Sequence, residues 1–375
     1  MNSLKILLLG QSDNGDIPTA PAKVAMRVYN ELCKCGVDAK FVEYFLDGKK
    51  YGLFKKIFGS EMLADDPHNN FYRLGAVRFI HFLMKFKPEI IHILNYDRFP
   101  LLSFLLRPFL KYKIIYLVHY IPQYERSINK KQKIKKLFWL KVRYSNFIYF
   151  LFSDLVVFLS EGSKRIASNY YRINQNKTKI MCNGIDLVFH NANSVREKHP
   201  NEIIKIVFIG DKYRKEKGLE YLINCLQNID FEIELNIVGG GYSSDDLIVI
   251  NNVYVKIYEK MEITELAEFY TNKDIFISTS IHESFGMAAV EAMSAGLIPL
   301  VTLQTGMSRF IEDGINGFVF DYGDLKKPKE ILFTLHKNKS LRKKISNKAT
   351  QIYDVLSWDK ISKLYLQTYN ELYTR

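Results

Sequence analysis

Two series of short apolar segments, separated by stretches with helical periodicity, are the feature that most limits what this chain can fold into. Strands buried on both faces are continuous apolar runs, and intervening helices connect such strands in parallel. The first series contains Lys5–Leu9, Ala39–Tyr44, Ile90–Leu94, Lys113–Val118, Leu155–Leu159 and a short Ile180–Cys182. The second contains Ile203–Ile209, Glu232–Val238, Val253–Tyr258, Ile275–Thr279 and Ile298–Thr302. The sequence therefore predicts an α/β protein with two doubly wound parallel sheets.

The length of the chain agrees with two domains. A chain of 375 residues exceeds the usual size of one hydrophobic core. The polar, aperiodic stretch at 191–202 is predicted to link a first domain, 1–190, to a second domain, 203–356. The segment Ser357–Tyr373 carries an apolar stripe at helical spacing, so we expect a final helix there.

The composition excludes several classes of protein. With 47% hydrophobic and 25% charged residues, the chain is globular and not disordered. Cys33, Cys35, Cys182 and Cys225 show neither a disulfide framework nor a repeated metal-ligand spacing, so we expect reduced thiols and a cytoplasmic protein. The apolar run near the start is too short for a signal peptide. Charged residues interrupt the apolar stretch Leu137–Ser160, so we expect no membrane span.

The formal net charge of +13 is compatible with nucleic acid, a membrane surface or an anionic substrate as partner. Five lysines between Lys130 and Lys136 precede the apolar and aromatic run Leu137–Leu140. This order suits an anionic lipid interface, and a solvated helix face explains it equally well. No nucleic-acid motif accompanies the charge, so we expect no nucleic-acid partner.

The segment at 274–301 is the most informative stretch for function. It predicts strand, loop, helix and strand, with Gly286 letting the backbone approach a ligand and Gly296 ending the helix. The free amides and the dipole of such a helix start are suited to a diphosphate and need no metal. Glu283 in the loop and Glu291 in the helix offer carboxylates, which suit the vicinal hydroxyls of a sugar or a ribose. An arbitrary pair of glutamates is more often surface, so this interpretation depends on the small residues around them.

The order of motifs along the chain resembles glycosyltransferase family 4, the retaining group 1 glycosyltransferases. Besides 274–301, the similar parts are Ile206–Gly210, Arg214, Lys217-Gly218, Asn236–Gly241, Ser153–Ser160, Asn183–Asp186 and Trp358. The resemblance covers nearly the whole chain. It implies the GT-B fold, in which two Rossmann-like domains face a central cleft and the final helix, 357–375, packs on the first domain.

The resemblance also implies roles for individual residues. The implied donor-site residues are Lys217, Gly239, Gly241, Glu283, Phe285, Gly286, Met287 and Glu291. Glu291 binds the donor ribose, and Glu283 holds the transferred sugar together with the amides after it. Lys217 neutralises the diphosphate. His119, at the end of a strand in the first domain, lies near the transferred sugar and its leaving phosphate.

Two places depart from the family pattern or are weakly defined by it. The family usually has an arginine directly after the glycine that ends its strand, whereas this chain has Asp211. Lys212 and Arg214 are the candidates to replace that arginine, and Arg214 is preferred. The first loop corresponds to a family loop near the donor phosphates and the acceptor, and its candidate residues are Gly15 and Asp16.

The predicted function is retaining sugar transfer, of the hexosyltransferase type, from a UDP- or GDP-sugar to a glycan or lipid-linked glycan in surface-polysaccharide biosynthesis. We expect no cofactor and no metal, because no Asp-x-Asp motif lies in a donor loop. The enzyme is expected on the inner face of the plasma membrane, held peripherally through Lys130–Phe152. Two alternatives stay open. One is a sugar-nucleotide epimerase on the same fold, and the other is a non-catalytic protein that binds through its basic surface.

Overall fold

The structure is a computed structural model that describes residues 4–10, 20–44, 52–62, 70–94, 99–119, 121, 124, 144, 146–195, 202–242 and 248–374. The candidates Gly15 and Asp16, and most of the segment Lys130–Phe152, lie outside these residues. The described residues divide into two compact units. Residues up to 124, 144–182 and 358–374 belong to the first unit, and 183–357 belong to the second.

Within the described residues, the first unit is built on an eight-stranded sheet. Its strands are β1 (Lys5–Leu9), β2 (Asp38–Tyr44), β3 (Ser60–Met62), β4 (Phe71–Leu74), β5 (Ile90–Ile93), β6 (Lys113–Val118), β7 (Leu155–Phe158) and β8 (Thr178–Ile180). The strand order is β3-β4-β2-β1-β5-β6-β7-β8, and the pairing is parallel except between β3 and β4. Strands β1, β5 and β6 are almost wholly buried, which is why apolar residues dominate them.

Helices cover this sheet, and one of them comes from the end of the chain. The helices are α1 (Ala20–Lys34), α2 (Leu53–Phe58), α3 (Ala76–Phe86), α4 (Phe99–Leu110), α5 (Glu161–Ser168), a helical segment at 146–152 and the C-terminal helix Trp358–Tyr373. The C-terminal helix buries Trp358, Tyr365 and Tyr369 in the first unit. The Tyr369 hydroxyl lies 2.7 Å from His92 Nδ1 of β5. The predicted final helix is therefore present, and its apolar stripe is packed.

The second unit, as far as the structure describes it, is built on a six-stranded parallel sheet. Its strands are β9 (Ile204–Ile209), β10 (Ile233–Val238), β11 (Val253–Tyr258), β12 (Ile275–Ser278), β13 (Ile298–Thr302) and β14 (Phe318–Phe320). Its helices are α6 (Leu187–Val195), α7 (Leu219–Leu226), α8 (Ile263–Tyr270), α9 (Met287–Ser294), α10 (Lys326–Lys337), α11 (Lys339–Ala349) and α12 (Ile352–Leu356). The strand order β11-β10-β9-β12-β13-β14 reverses between β9 and β12.

The predicted fold class, two parallel α/β sheets, is confirmed, and the differences are local. Strands β3, β4 and β14 have three or four residues, too few to show a periodicity. Helix α6 covers 191–195, the start of the predicted linker, because Phe189 and Ala192 are buried and Phe189 packs on Tyr270 at 6.0 Å between ring centroids. Strand β8 ends at Ile180, where the predicted strand begins. No helix in the described ranges is long and apolar enough to cross a membrane.

Candidate functional site

The candidate donor residues meet at the point where the second sheet reverses its strand order. Open parallel sheets bind ligands outside the carboxyl ends of their strands at such a point. Lys217 lies in the loop after β9, and Glu283 lies in the loop after β12. Their side chains form an ion pair with 2.8 Å between Nζ and Oε1, and each side chain is only 18% exposed. The structure therefore brings these two predicted residues into direct contact.

The Glu283 carboxylate is fixed from several sides. Ser280 Oγ donates to Glu283 Oε1 at 2.7 Å. The Glu283 backbone N–H donates to Gln304 O at 3.2 Å, and its carbonyl accepts from Gly306 N at 3.0 Å. Burial by itself raises the pKa of Glu283, but the Lys217 ammonium and the hydrogen bonds outweigh burial and hold the pKa below its ordinary value. Glu283 is therefore ionised at neutral pH and accepts hydrogen bonds from its surroundings.

The loop that carries Lys217 packs closely against the end of β12, and this contact holds Lys217 in place. It ends a short 3₁₀ helix, Lys215–Lys217, and Gly218 follows with φ 76°. A Cβ at Gly218 would collide with the Thr279 carbonyl, so the chain needs glycine there for space as well as for conformation. Thr279 Oγ1 also donates to Gly218 O at 2.9 Å. Neither Thr279 nor Ser280 was identified from the sequence: Thr279 contacts a loop that is distant in the chain, and Ser280 contacts Glu283 within its own loop.

Helix α9 begins beside this pair. Gly286 is its N-cap with φ 98°, and an added Cβ would lie 2.6 Å from Thr305 Cγ2 and 3.7 Å from Glu283 Oε2. Phe285 is buried, and its carbonyl accepts from Met307 N at 2.6 Å. The first amides of an α-helix have no partner inside the helix. The positive end of the α9 dipole is therefore presented next to the Glu283 loop, with Met287 as the first helical residue.

The end of α9 and the position of Glu291 follow the sequence prediction. Gly296 has φ 90°, and Leu297 N donates to Ala292 O at 2.9 Å, which is the bond of a Schellman motif. Glu291 lies within α9 and is partly buried. Burial, and then the Glu291 charge, raise the pKa of Tyr270. The second glutamate is thus in the environment of α8 and α9, one helix turn beyond the Glu283 loop.

The two candidates to replace the family arginine have different surroundings. Arg214 Nε donates to Glu216 Oε1 at 2.6 Å, and the Arg214 side chain is 52% exposed. The Arg214 charge also contributes to lowering the pKa of Glu283. The Lys212 ammonium lies 5.8 Å from the centroid of the Tyr213 ring.

Asp211 joins the loops that follow β9, β10 and β11. Its Oδ1 accepts from Gly240 N at 2.8 Å, and its Oδ2 lies 3.2 Å from Lys260 Nζ. A Cβ at Gly239 would collide with the Gly210 carbonyl, so the first two loops touch through their backbones. Lys260 was not identified from the sequence. The available signal was its position two residues after the end of β11.

Gly241, the second glycine of the predicted Gly-x-Gly pair, has φ 83°. An added Cβ there would lie 2.9 Å from Cε2 of the Tyr213 ring. The residue is therefore confined both by its left-handed backbone and by the loop after β9.

His119 lies in the first unit, directly after β6. Its Nε2 is buried and has no hydrogen-bond partner among the described residues. Burial lowers the pKa of His119 to about 4, although a hydrogen bond to the Leu94 backbone acts in the opposite direction. His92 of β5 was missed from the sequence, because a polar residue inside an apolar strand carries no pattern. Burial, and then the His119 charge, lower the pKa of His92 to about 3, so both imidazoles are neutral at pH 7.

The cysteines and acidic residues show no metal or disulfide chemistry in the part of the chain that is described. Cys33, Cys35, Cys182 and Cys225 are thiols, and none forms a disulfide. No three His, Cys, Asp or Glu side chains among the described residues are grouped so that they could hold a metal ion.

Comparison with known sequences identifies relatives for both units. An uncharacterised 41.2 kDa protein in the cps region of Klebsiella pneumoniae is 27% identical over 307 residues, which is 74% of this chain and 82% of that protein. The capsular polysaccharide biosynthesis glycosyltransferase CapM of Staphylococcus aureus is 24% identical over 235 residues, which is 56% of this chain and 60% of CapM.

Solved structures share the fold across the whole chain. Sucrose-phosphate synthase from Thermosynechococcus elongatus superposes with a TM-score of 0.76 at 14% identity, covering 99% of both chains. Anabaena HepE in complex with UDP-glucose superposes with a TM-score of 0.70 at 17% identity, covering 98% of this chain and 100% of HepE. These neighbours show that the fold is GT-B.

Two family models match adjacent parts of the chain. The model Glycosyltransferase Family 4 matches residues 22–189, and the model Glycosyl transferases group 1 matches residues 189–352. The second match contains the Lys217–Glu283 pair and helix α9. The chain therefore belongs to the group 1 glycosyltransferases of family 4.

Proposed function

We propose that the protein transfers a hexose from a UDP- or GDP-sugar to a glycan or lipid-linked glycan, with retention of configuration, in surface-polysaccharide biosynthesis. The observation that carries the proposal is the Lys217–Glu283 ion pair beside the glycine-started helix α9. The names of two relatives support it, since one is a capsular polysaccharide glycosyltransferase and another lies in a cps region. The solved HepE complex contains UDP-glucose, which supports a nucleotide-sugar donor.

The donor diphosphate is proposed to lie at the start of α9. The amides of Phe285, Gly286 and Met287 donate to its distal phosphate, and Lys217 and Arg214 add positive charge. Negative charge develops on this phosphate as the bond to the sugar breaks. Fixed donors aimed at such a charge lower the barrier, and a single one is worth about 10²–10³ in rate.

The two glutamates are proposed to bind the two hydroxyl-rich parts of the donor. Glu283 accepts from hydroxyls of the transferred sugar, and Glu291 accepts from the ribose. The Lys217 ammonium compensates the charge of Glu283, so residues of the protein itself keep this carboxylate ionised and oriented. Retention follows if the acceptor hydroxyl attacks on the face from which the diphosphate leaves, with a phosphate oxygen taking its proton.

The remaining site residues complete the proposal. His119 is a neutral hydrogen-bonding group for the transferred sugar, because burial lowers its pKa to about 4. Gly15 and Asp16 belong to the loop near the donor phosphates and the acceptor. The charge stabilisation assigned to Lys217, Arg214 and α9 needs no divalent cation, so we expect turnover to persist in excess chelator.

The experiment that tests the function is a thermal-shift panel of UDP, GDP, ADP and their sugars. A ligand that binds the native state at 100 times its Kd stabilises it by about 2.7 kcal/mol. We expect UDP or GDP, with the matching sugar, to raise the melting temperature, and Glu291→Ala to abolish the shift. Release of the nucleoside diphosphate only when a glycan acceptor is present distinguishes a transferase from an epimerase, which isomerises the sugar without an acceptor. A wild-type protein that no nucleotide stabilises would contradict the proposal.

The acceptor is proposed to be presented at the inner face of the plasma membrane. In the first unit, α4 exposes Leu105 and Phe109, which are 70% and 81% accessible, and the 146–152 helix exposes Phe152. Arg107 holds the two helices side by side, because its Nη1 donates to the Phe152 carbonyl at 2.7 Å. Exposed aromatic and aliphatic side chains in this unit, together with the run of lysines that the sequence has between Lys130 and Lys136, support contact with an anionic bilayer.

A further inference from the structure

A second ion pair lies at the same edge of the second sheet, where neither residue has a part in the chemistry described above. Asp211 follows β9 and Lys260 follows β11, and the Asp211 Oδ2 lies 3.2 Å from Lys260 Nζ. The Lys260 side chain crosses Gly240, since a Cβ built on Gly240 would lie 3.2 Å from Lys260 Cε. Both side chains remain open to solvent, at 31% and 51% exposure, so a ligand can reach them.

The backbone beneath this pair is fixed. Gly240 N donates to Asp211 Oδ1 at 2.8 Å, and Lys212 N donates to Gly240 O at 3.1 Å. Gly210 O accepts from the Tyr242 hydroxyl at 2.8 Å. The loops after β9 and β10 are thereby bound to each other on both sides of Gly240. Asp211 cannot shift without breaking these bonds, so its carboxylate is a stable anchor for the Lys260 ammonium.

The charges of the two ion pairs suit different parts of a donor. Lys217 and Glu283 lie beside the N-terminus of α9, which carries roughly +0.5 charge and favours the diphosphate. Asp211 and Lys260 largely neutralise each other, so a phosphate gains little there. Both groups keep hydrogen-bonding capacity, because an ammonium has three donors and a carboxylate has several acceptor positions. A donor and an acceptor side by side complement the edge of a nucleobase, which also presents donors and acceptors side by side.

The order of the strands places this pair where a nucleobase is expected. In a nucleoside diphosphate sugar, the diphosphate and ribose separate the base from the transferred sugar. In the sheet, β9 and β10 separate β11, which precedes Lys260, from β12, which precedes Glu283. A donor whose sugar lies at Glu283 and whose diphosphate lies at Lys217 therefore has its base directed toward the β10 and β11 loops.

We infer, on the basis of the proposed function, that Lys260 and Asp211 bind the hydrogen-bonding edge of the donor nucleobase. Lys260 donates to an oxygen or ring nitrogen of the base. Asp211 is a positioning residue for the Lys260 ammonium and also accepts from the base. These contacts are remote from the bond that breaks and are equal in the ground state and the transition state. They therefore set the affinity for the donor and not the rate of transfer.

The test uses Lys260→Met and Asp211→Asn in the full chain, with UDP or GDP as the probe, whichever stabilises the wild type. Asparagine keeps an acceptor for Gly240 N and removes the charge that holds Lys260. We expect the Kd of the nucleotide and the KM of its sugar to rise about tenfold in each variant, as for the loss of one hydrogen bond to a charged group. We expect kcat to stay within about twofold, and Lys260→Arg to recover part of the affinity.

The matched control is Lys256→Met. Lys256 lies on the same strand, has a similar exposure of 53% and pairs with Glu234 at 2.7 Å, but it precedes the carboxyl end of β11. It should leave the Kd unchanged. Inorganic pyrophosphate is the second probe, and Lys260→Met should leave its binding unchanged.

The outcomes separate this inference from the proposed function. Equal losses of nucleotide and pyrophosphate affinity would assign Lys260 to the phosphates and overturn the nucleobase assignment. Wild-type affinity in both variants would also overturn it, while the proposed function stands. A wild-type protein that binds no nucleotide would overturn both.

Discussion

At the scale of single residues, the ion pair between Glu283 and Lys217 decides what the site can do. The carboxylate is partly buried, and its ionised form depends on the ammonium 2.8 Å away. In the proposed function both residues bind the donor, and Lys217 also lowers the pKa of Glu283 and keeps this carboxylate ionised. Replacing either residue leaves the other without the opposite charge that it pairs with in this site.

We predict that Glu283→Gln lowers kcat by about 10²-fold or more and lowers the free energy of unfolding at pH 7 by about 1–3 kcal/mol. A carboxyl whose pKa is lowered by folding contributes stability above its unfolded pKa and loses it as the pH falls through the folded pKa. The stability difference between wild type and variant should therefore shrink below about pH 4.3. Urea unfolding at pH 7 and at about pH 3, below the ordinary pKa of a glutamate, measures this difference. A difference that does not change with pH would mean that the pair does not stabilise the ionised form.

His119 leads to a prediction with its own pH window. Its pKa is lowered to about 4 by burial, so the unfolded chain binds a proton at higher pH than the folded chain does. Stability contributed by this residue is therefore complete above about pH 6.5 and falls between pH 6.5 and 4. We predict that, as the pH is lowered through this window, the melting temperature of His119→Asn falls less than that of the wild type. An unchanged slope in His119→Asn would contradict the burial of a neutral imidazole.

At the scale of elements, the start of α9 depends on one glycine for two reasons. Gly286 has φ 98°, and an added Cβ would lie 2.6 Å from Thr305 Cγ2 and 3.2 Å from Met307 Cγ. The backbone conformation disfavours any side chain, and the neighbouring loop after β13 leaves no space for one. The geometry of the helix start therefore depends both on the loop after β12, which contains Gly286, and on the loop after β13, which contains Thr305 and Met307.

We predict that Gly286→Ala destabilises the protein by about 1–3 kcal/mol and weakens nucleotide binding. Gly314→Ala is the matched control, since Gly314 also has a left-handed φ of 76° but has no atom within 4 Å of an added Cβ. Gly314→Ala should lose only the smaller amount of stability that the left-handed backbone conformation costs, and it should bind the nucleotide normally. Thermal melts with and without the nucleotide compare the two. Equal losses in both variants would show that the contact with Thr305 is unimportant.

The positions of most helices and strands were predictable from the sequence. The contacts between the different loops of the candidate site were mostly not. Strands such as β1 and β6 are continuous apolar runs, and Gly286 and Gly296 mark the ends of α9 within one short segment. The contact of Lys217 with Glu283 joins positions 66 residues apart, and that of Asp211 with Gly240 joins positions 29 apart. No local sequence pattern indicates which residues are in contact when they are so far apart along the chain. The resemblance assigned Lys217 and Glu283 to one donor site without predicting their contact, and the contact of Asp211 occurs where the chain departs from the family.

At the scale of the whole molecule, the positive charge and the exposed apolar residues of the first unit favour the same partner. The chain carries a formal net charge of +13. Long-range attraction brings such a protein to an anionic surface, and exposed apolar side chains then add short-range affinity. Both effects are needed for a lasting contact, because each alone is weak.

We predict that the protein floats with vesicles of anionic lipid and not with neutral vesicles. Replacing the five lysines between Lys130 and Lys136 with glutamine should weaken flotation, and so should the pair Leu105→Ser and Phe109→Ser. Lys343→Gln with Lys344→Gln, on α11 of the second unit, is the control for loss of charge elsewhere. Flotation of all variants at the wild-type level would contradict the assignment of membrane contact to these residues, and a wild-type protein that does not float would contradict the membrane proposal.

The first unit is discontinuous in sequence, since the chain leaves it after Cys182 and returns at Trp358. During synthesis on the ribosome, its eight-stranded sheet emerges long before the C-terminal helix that covers His92. Over that interval a face built to pack against Tyr365 and Tyr369 is open to water. The described residues of the second unit lie within 183–357, so they all emerge before that helix does. The last segment to be translated therefore completes the first unit, and a chain cut short before Trp358 would leave that unit uncovered and open to chaperones and proteases.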